Sequence, residues 1–271
     1  MVQPRVFQVS MLAMSLGVTA CVADLASSTP PDEAPAPALA VDAAPHVEYF
    51  GGPVLAHIAV HPVWWRSTTR FQAGFNTFYP SVVNSAWWAV LAQYGVFPGT
   101  ATAGVTDNNL AVTVSDAAIH TELNRLFANG SLPSPSANSY YPVHFPQGMH
   151  ITAPDGSQSC VQFCSYLGTY VRNGVNVVYG VLPDVGDAGC NTSCGTSTSV
   201  QNNEQLQSSH LLIEAATNPA AGLATVFGPP LGWFDPNNGS IADLCSGQQG
   251  LANGLVVQKI WSNAANACVD H

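Results

Sequence analysis

The sequence predicts an α+β or α/β domain, a mixed sheet with flanking helices, stapled by disulfides. Three observations carry this reading. Short apolar, β-branched segments alternate with helix-period segments from residue 47 to the end. Strand-like runs cluster before a late, apolar helix. Six cysteines, an even number, fall within that stretch once Cys21 is set aside.

The elements follow in order. "PVLAHIAVHPVWW", 53–65, is bounded by Gly-Gly and reads as one strand. "FQAGFNTFYPSVVNSAWWAVLAQY", 71–94, reads as helical, interrupted at Pro80, recapped by Asn84 or Ser85 and ended by Gly95. "LAVTV", 110–114, reads as a short strand. In "SDAAIHTELNRLFANG" Asp116 is the expected N-cap, Ile119, Leu123, Leu126 and Phe127 share one face, and Asn129-Gly130 stops the helix. "SYYPVHF", 139–145, and "VNVVYGVL", 175–182, read as strands, the second central. A helix capped by Asn202 or Asn203 runs to Asn218-Pro219, because the residue before proline is pushed out of helical conformation. "GLVVQKIW", 254–261, reads as the last strand. The Trp pairs 64–65 and 87–88 fall inside elements and read as core rather than as a sugar platform.

The start of the chain predicts export. Arg5 precedes an apolar run, "VSMLAMSLGVTA", too short to span a bilayer and ending at Cys21. Val18, Thr19 and Ala20 before the cysteine resemble the lipobox of bacterial lipoproteins. On that reading residues 1–20 are a signal peptide and Cys21 is the acylated N-terminus. Val22, which is not acidic, then points to the outer membrane. The plainer alternative is an ordinary cleaved signal and secretion. Residues 21–46 are a Pro/Ala-rich tether that cannot bury enough apolar surface to fold, and residues 47–271 form a single globular domain.

Composition excludes some functions. Charged residues are 8% of the chain, the formal charge is −10, and Lys259 is the one lysine. No basic patch can form, so nucleic-acid binding is excluded. The cysteines Cys160, Cys164, Cys190, Cys194, Cys245 and Cys268 include two C-x3-C pairs, which also suit a four-thiolate zinc site. Export favours three disulfides, with the pairing open. A nucleotide-binding glycine loop, a G-x-S-x-G elbow and a C-x-x-C pair are all missing from the sequence.

The candidate chemistry lies in "SSHLLIEAATNP", 208–219. His210 and Glu214 stand one turn apart on one helix face, about 6 Å along the axis. A carboxylate drawn into the interior needs a partner, which can be a metal ion, the histidine itself, or backbone and water. "GWFDPNNGSIADLC", 232–245, adds two aspartates. Asp235 in D-P-N-N-G reads as a surface turn residue, whereas Asp243, flanked by Ile241, Ala242 and Leu244, is a candidate third ligand. Glu204 points away from the His210 face and is a poor candidate base.

Together these blocks resemble the EXORDIUM/phosphate-induced protein family and its bacterial relatives. "YFGGPVLAHIAVHPVWW" resembles the family's opening strand, and "GSLPSPSANSYYPVHFPQGMHIT" its middle strand and turn. "FCSYLGTY", "VVYGVLPD", "SSHLLIEAATNP", "GWFDPNNGSIADLC" and "VQKIWSNAANACV" follow in the family's order. The resemblance implies a metallopeptidase (zincin)-like fold. The family pattern S-H-E-L-x-E-A-x-T-D-P implies a ligand histidine at His210, a ligand carboxylate at Glu214 and a late aspartate at Asp243. Four positions depart from it. Leu211 replaces the glutamate that would act as general base, Leu167 the histidine of F-C-x-Y-H, Ser240 the glutamate of G-E-I-x-D, and Asn218 an aspartate. Metal-assisted hydrolysis needs a group to take the proton from bound water, and leucine cannot. The expectation is a tethered, non-catalytic binding or envelope-associated module with an incomplete zinc site and with envelope or extracellular protein or glycan partners. The alternative is an active metal-dependent hydrolase using His210, Glu214 and Asp243.

Overall fold

Pro62 has no backbone N–H to give to a ladder, and the apolar run around it is accordingly divided into β1 (Ala59–Val60) and β2 (Val63–Trp64). The computed structural model describes residues 45–108 and 111–271. The expected signal peptide, Cys21 and nearly all of the tether lie outside the described residues. Residues 53–58 were expected to extend the first strand, but their backbone has other partners. Leu55 N–H bonds Ala216 O at the end of a helix, and His57 N–H bonds Asn138 Oδ1.

The remaining strands of the main sheet are β3 (Thr100–Ala101), β4 (Val105–Thr106), β5 (Ser139–His144), β6 (Tyr166–Arg172) and β7 (Val175–Leu182). Both halves of the divided strand pair in parallel with β5, and on the other side with β3 and β4. β7 runs parallel to β5, and β6 closes the edge antiparallel to β7. The sheet is thus mostly parallel with one antiparallel edge, an arrangement that needs cover on both faces.

Strand alternation divides that cover. Tyr140, Val178 and Leu182 face one core, shared with Phe75, Phe78, Trp87, Trp88 and the apolar residues of the late helix. Tyr141, Val143, Val177, Tyr179 and Val181 face a second core with Ile119, Leu123, Leu126 and Phe127. Both Trp pairs are buried, as core residues should be.

Three helices supply the cover. α1 (Gln72–Val82) continues through Pro80 rather than breaking there, and Ser85 caps the short turn that follows. α2 (Asp116–Ala128) is capped by Ser115, whose side chain accepts from Ala118 N–H, so Asp116 is the first helical residue and its carboxylate is free for other partners. α3 (Val200–Thr217) is capped by Ser199 rather than Asn202 or Asn203, and ends at Asn218 as the following proline requires. Among the described residues no helix is long and apolar enough to cross a membrane.

The expected last strand is two strands with different partners. Leu255–Gln258 pairs with Gln249–Ala252, and Ile260–Ser262 pairs with a later strand, Ala267–Val269. The expected 110–114 strand is seen at Thr113–Ser115, beside His150–Thr152. All six expected cysteines are paired as Cys160–Cys190, Cys164–Cys194 and Cys245–Cys268. The first two clip the loop after β7 to the loop before β6. The third ties the turn carrying Asp243 to the C-terminal strand.

Candidate metal centre

α3 packs on the sheet over Gly180 of β7, where the missing side chain leaves room for the Tyr140 hydroxyl, 2.2 Å from where a Cβ would stand, and for Leu211 Cδ1, 3.1 Å from it. His210 and Glu214 are turned toward β6, each with 17% of its side chain exposed.

Asp243 arrives from a different element. Trp233–Asp235 and Gly239–Ser240 form a small hairpin, and the chain then makes a helical turn at Asp243–Cys245. Asp235 is the keystone of that hairpin, correcting its reading as a surface residue. It is buried, its Oδ1 accepts from Asn237 N–H, Asn238 N–H and the Asn238 amide, and its Oδ2 accepts from His46 N–H. Gly239 has φ +95°, and a Cβ there would approach Asp243 Oδ2 to 2.5 Å, so only glycine lets the turn close. Ser240 N–H then donates to Asp243 Oδ2 at 2.8 Å, and Ser240 Oγ donates to Glu214 Oε1 at 2.8 Å. Ser240, which lacks the carboxylate of the resembled pattern, thereby positions both others.

The three predicted residues converge. One donor atom from each of His210, Glu214 and Asp243 lies within 4.8 Å of the others. His210 Nε2 stands 3.7 Å from Glu214 Oε1 and 3.8 Å from Asp243 Oδ1, too far for a hydrogen bond to either.

Gln258, which the sequence reading did not single out, sets the state of the histidine. Its Nε2 donates to Ala242 O, a pure acceptor, at 2.8 Å. Its Oε1 therefore faces His210 Nδ1 at 2.9 Å, and Nδ1 must carry the proton. In the neutral ring Nε2 is then a bare lone pair aimed between two carboxylates. Gln258 is itself immobilised: its N–H donates to Ser209 Oγ and its carbonyl accepts from Trp87 Nε1. A buried Gln at the end of the apolar run "GLVV" was the available signal.

The electrostatics point the same way. Burial pushes the Glu214 carboxyl above its ordinary value; His210 opposes that rise, Asp243 adds to it, and the Ser240 hydroxyl opposes it. A cation among the three would remove the conflict. The set of one imidazole and two carboxylates suits zinc, and the Gln258 contact to the second ring nitrogen is the outer support such a ligand needs.

The cluster faces open space. A cavity of about 290 Å³ is lined by the three residues with Leu167, Leu211, Thr169 and others. His210 and Asp243 also border a neighbouring cavity of about 410 Å³. The two leucines form wall rather than plug. Apart from the three candidate ligands and Tyr166, whose hydroxyl is turned to Asp116, no free titratable group lines either cavity among the described residues. Glu204 lines neither cavity.

No protein-family model, curated protein or solved structure matches this chain. The chemistry of the cleft therefore rests on its own residues.

Proposed function

We propose that this chain is an exported, envelope-tethered bacterial lipoprotein of the EXORDIUM/phosphate-induced type. On this reading its zincin-like helix holds a divalent cation, zinc by donor type, at His210, Glu214 and Asp243 without supporting hydrolysis. The observation that carries the metal is the His210 tautomer. With Nδ1 held by Gln258, Nε2 is left to point between two carboxylates at 3.7 and 3.8 Å without a hydrogen bond to either, a space that a cation would fill. Bound zinc would supply Lewis acidity and a polarised water. The protein's own share would be to hold three ligands and leave the cavity side open. Leu211 and Leu167 line the space where a proton acceptor would be needed, which favours a module that uses the metal to bind an envelope or extracellular protein or glycan.

The alternative, an active metal-dependent hydrolase, is favoured by one feature: the cluster opens onto cavities rather than being sealed like a structural site. Elemental analysis of the purified folded protein, paired with a peptide-cleavage assay, separates the readings. Binding without catalysis gives one zinc per chain, lost in His210→Ala, and no cleavage. Chelator-sensitive cleavage establishes the hydrolase instead. A wild-type protein that takes up no zinc overturns both.

A further inference from the structure

A second polar cluster lies beyond β6, in a cavity of about 860 Å³ that shares Tyr166, Leu167, Thr169 and Gly222 with the metal cleft. Its floor is built from three elements. Asp116 and His120 stand one turn apart on α2, Tyr179 comes from β7 and Tyr166 from β6. Gly168 makes the assembly possible, because a Cβ there would stand 2.3 Å from the Tyr179 hydroxyl.

The protons in this cluster can be counted. Asp116 Oδ1 accepts from the Tyr179 hydroxyl at 2.5 Å and from the Tyr166 hydroxyl at 2.8 Å. Having spent its proton, the Tyr179 oxygen must accept from His120 Nε2 at 2.7 Å, and that nitrogen also lies 3.1 Å from Asp116 Oδ2. Nε2 therefore carries hydrogen. The ring stacks on Tyr170 at 4.1 Å, and burial lowers its pKa with Asp116 opposing.

Two hydroxyls and one ring N–H thus surround one carboxylate, and none of them is a fixed cation. No lysine or arginine is among the residues lining the cavity, while Asp155 adds a second carboxylate. The floor is recessed but reachable, with 11% of the Asp116 side chain and 29% of the His120 side chain exposed. Phe163, Pro154, Leu167 and the Tyr166 ring supply the walls. The carboxylate is held by hydrogen-bond donors and by the N-terminus of α2 but has no lysine or arginine beside it, which favours a ligand that brings a positive charge. Aromatic walls favour the same ligand, since ring faces attract cations.

We propose that this cavity binds an organic cation, a primary ammonium on an apolar or aromatic body, with Asp116 as its counter-charge. The site is independent of any metal at His210.

The test uses phenethylammonium and its neutral counterpart phenethyl alcohol, titrated into the full chain at pH 7. A chelator is present so that the amine cannot act as a metal ligand. The ammonium should bind at least about tenfold more tightly than the alcohol, the range for a hydrogen bond to a charged group. It should also shift the His120 imidazole resonance, identified by its loss in His120→Gln. Asp116→Asn should abolish the preference and leave alcohol binding unchanged. Equal affinity for the two probes, no binding of either, or a preference that survives in folded Asp116→Asn overturns the proposal. If Asp116→Asn does not fold, the wild-type pair decides: preference with a His120 shift supports the site, and preference without it overturns the site.

Discussion

Glu204 and Glu214 lie on the same helix, and both are shielded from water, yet their surroundings could hardly differ more. Glu204 packs in the interior near the Arg70–Asp184 ion pair, and its Oε1 is buried with no hydrogen-bond partner. Glu214 accepts from Ser240 and faces His210 and Asp243 across a cavity. Burial raises both carboxyls. What separates them is whether neighbouring donors and open space convert a costly carboxyl into a ligand. Glu204 resolves its burial by keeping its proton; Glu214 sits where a cation can resolve it.

The comparison is tested most severely at Glu204. Unfolded, its carboxyl ionises near 4.5; folded, burial first and the Asp184 charge second push it up to about 9, with Arg70 opposing. Between those values the native state holds a proton that the unfolded state has released. Stability therefore falls as pH rises, by at most about 1.4 kcal/mol per pH unit, and levels off above pH 9. Glu204→Gln keeps the shape of the neutral acid and removes the titration. Urea unfolding should show little change near pH 4.5 and a gain of a few kcal/mol near pH 8. Metal content should not change. A variant with the same pH profile as the wild type would show that Glu204 is ionised in the fold.

How much of this contrast was legible beforehand depends on the range of the interactions. His210 and Glu214 were readable because their relation is local, one turn of helix. β5 and β7 were readable as short apolar strands for the same reason, whereas their division between two cores shows only in the packed sheet. The cap of α3 was misplaced because "STSVQNNEQ" offers several competent capping residues in a row, and only the packed structure selects Ser199. The first strand was overextended because Leu55 finds its acceptor on Ala216, far away in sequence. Gln258 could not be read as a partner of His210 at all. Its role depends on how a late hairpin lies against α3, which no local pattern encodes.

Gln258 sharpens the contrast next, because nothing comparable supports Glu204. Gln258→Met keeps an unbranched side chain of similar length and removes the acceptor for His210 Nδ1–H. The ring is then free to turn, and zinc affinity, measured by competition with a chromophoric chelator, should fall about 10–100-fold. Undiminished affinity in a folded variant would mean that the ring is fixed by packing alone.

The smallest effect is expected at Ser240, and its direction is the informative part. Its hydroxyl donates to Glu214 Oε1, whereas its backbone N–H holds Asp243. Ser240→Ala removes the first bond and leaves the second, so the two carboxylates are affected separately. Loss of one hydrogen bond to a charged group costs about 1.5–3 kcal/mol at most, and solvent entering the cavity offsets part of it. The hydroxyl opposes the rise that burial imposes on the Glu214 carboxyl, so its removal lets that carboxyl hold its proton to higher pH. Protons then compete better for the same oxygen as the metal. Zinc affinity of Ser240→Ala should drop only a few-fold at pH 8, and the gap from wild type should widen as pH falls toward 5. A gap that stays constant with pH would show that Ser240 acts through the shape of the turn rather than through Glu214, and that the hairpin alone places the carboxylate.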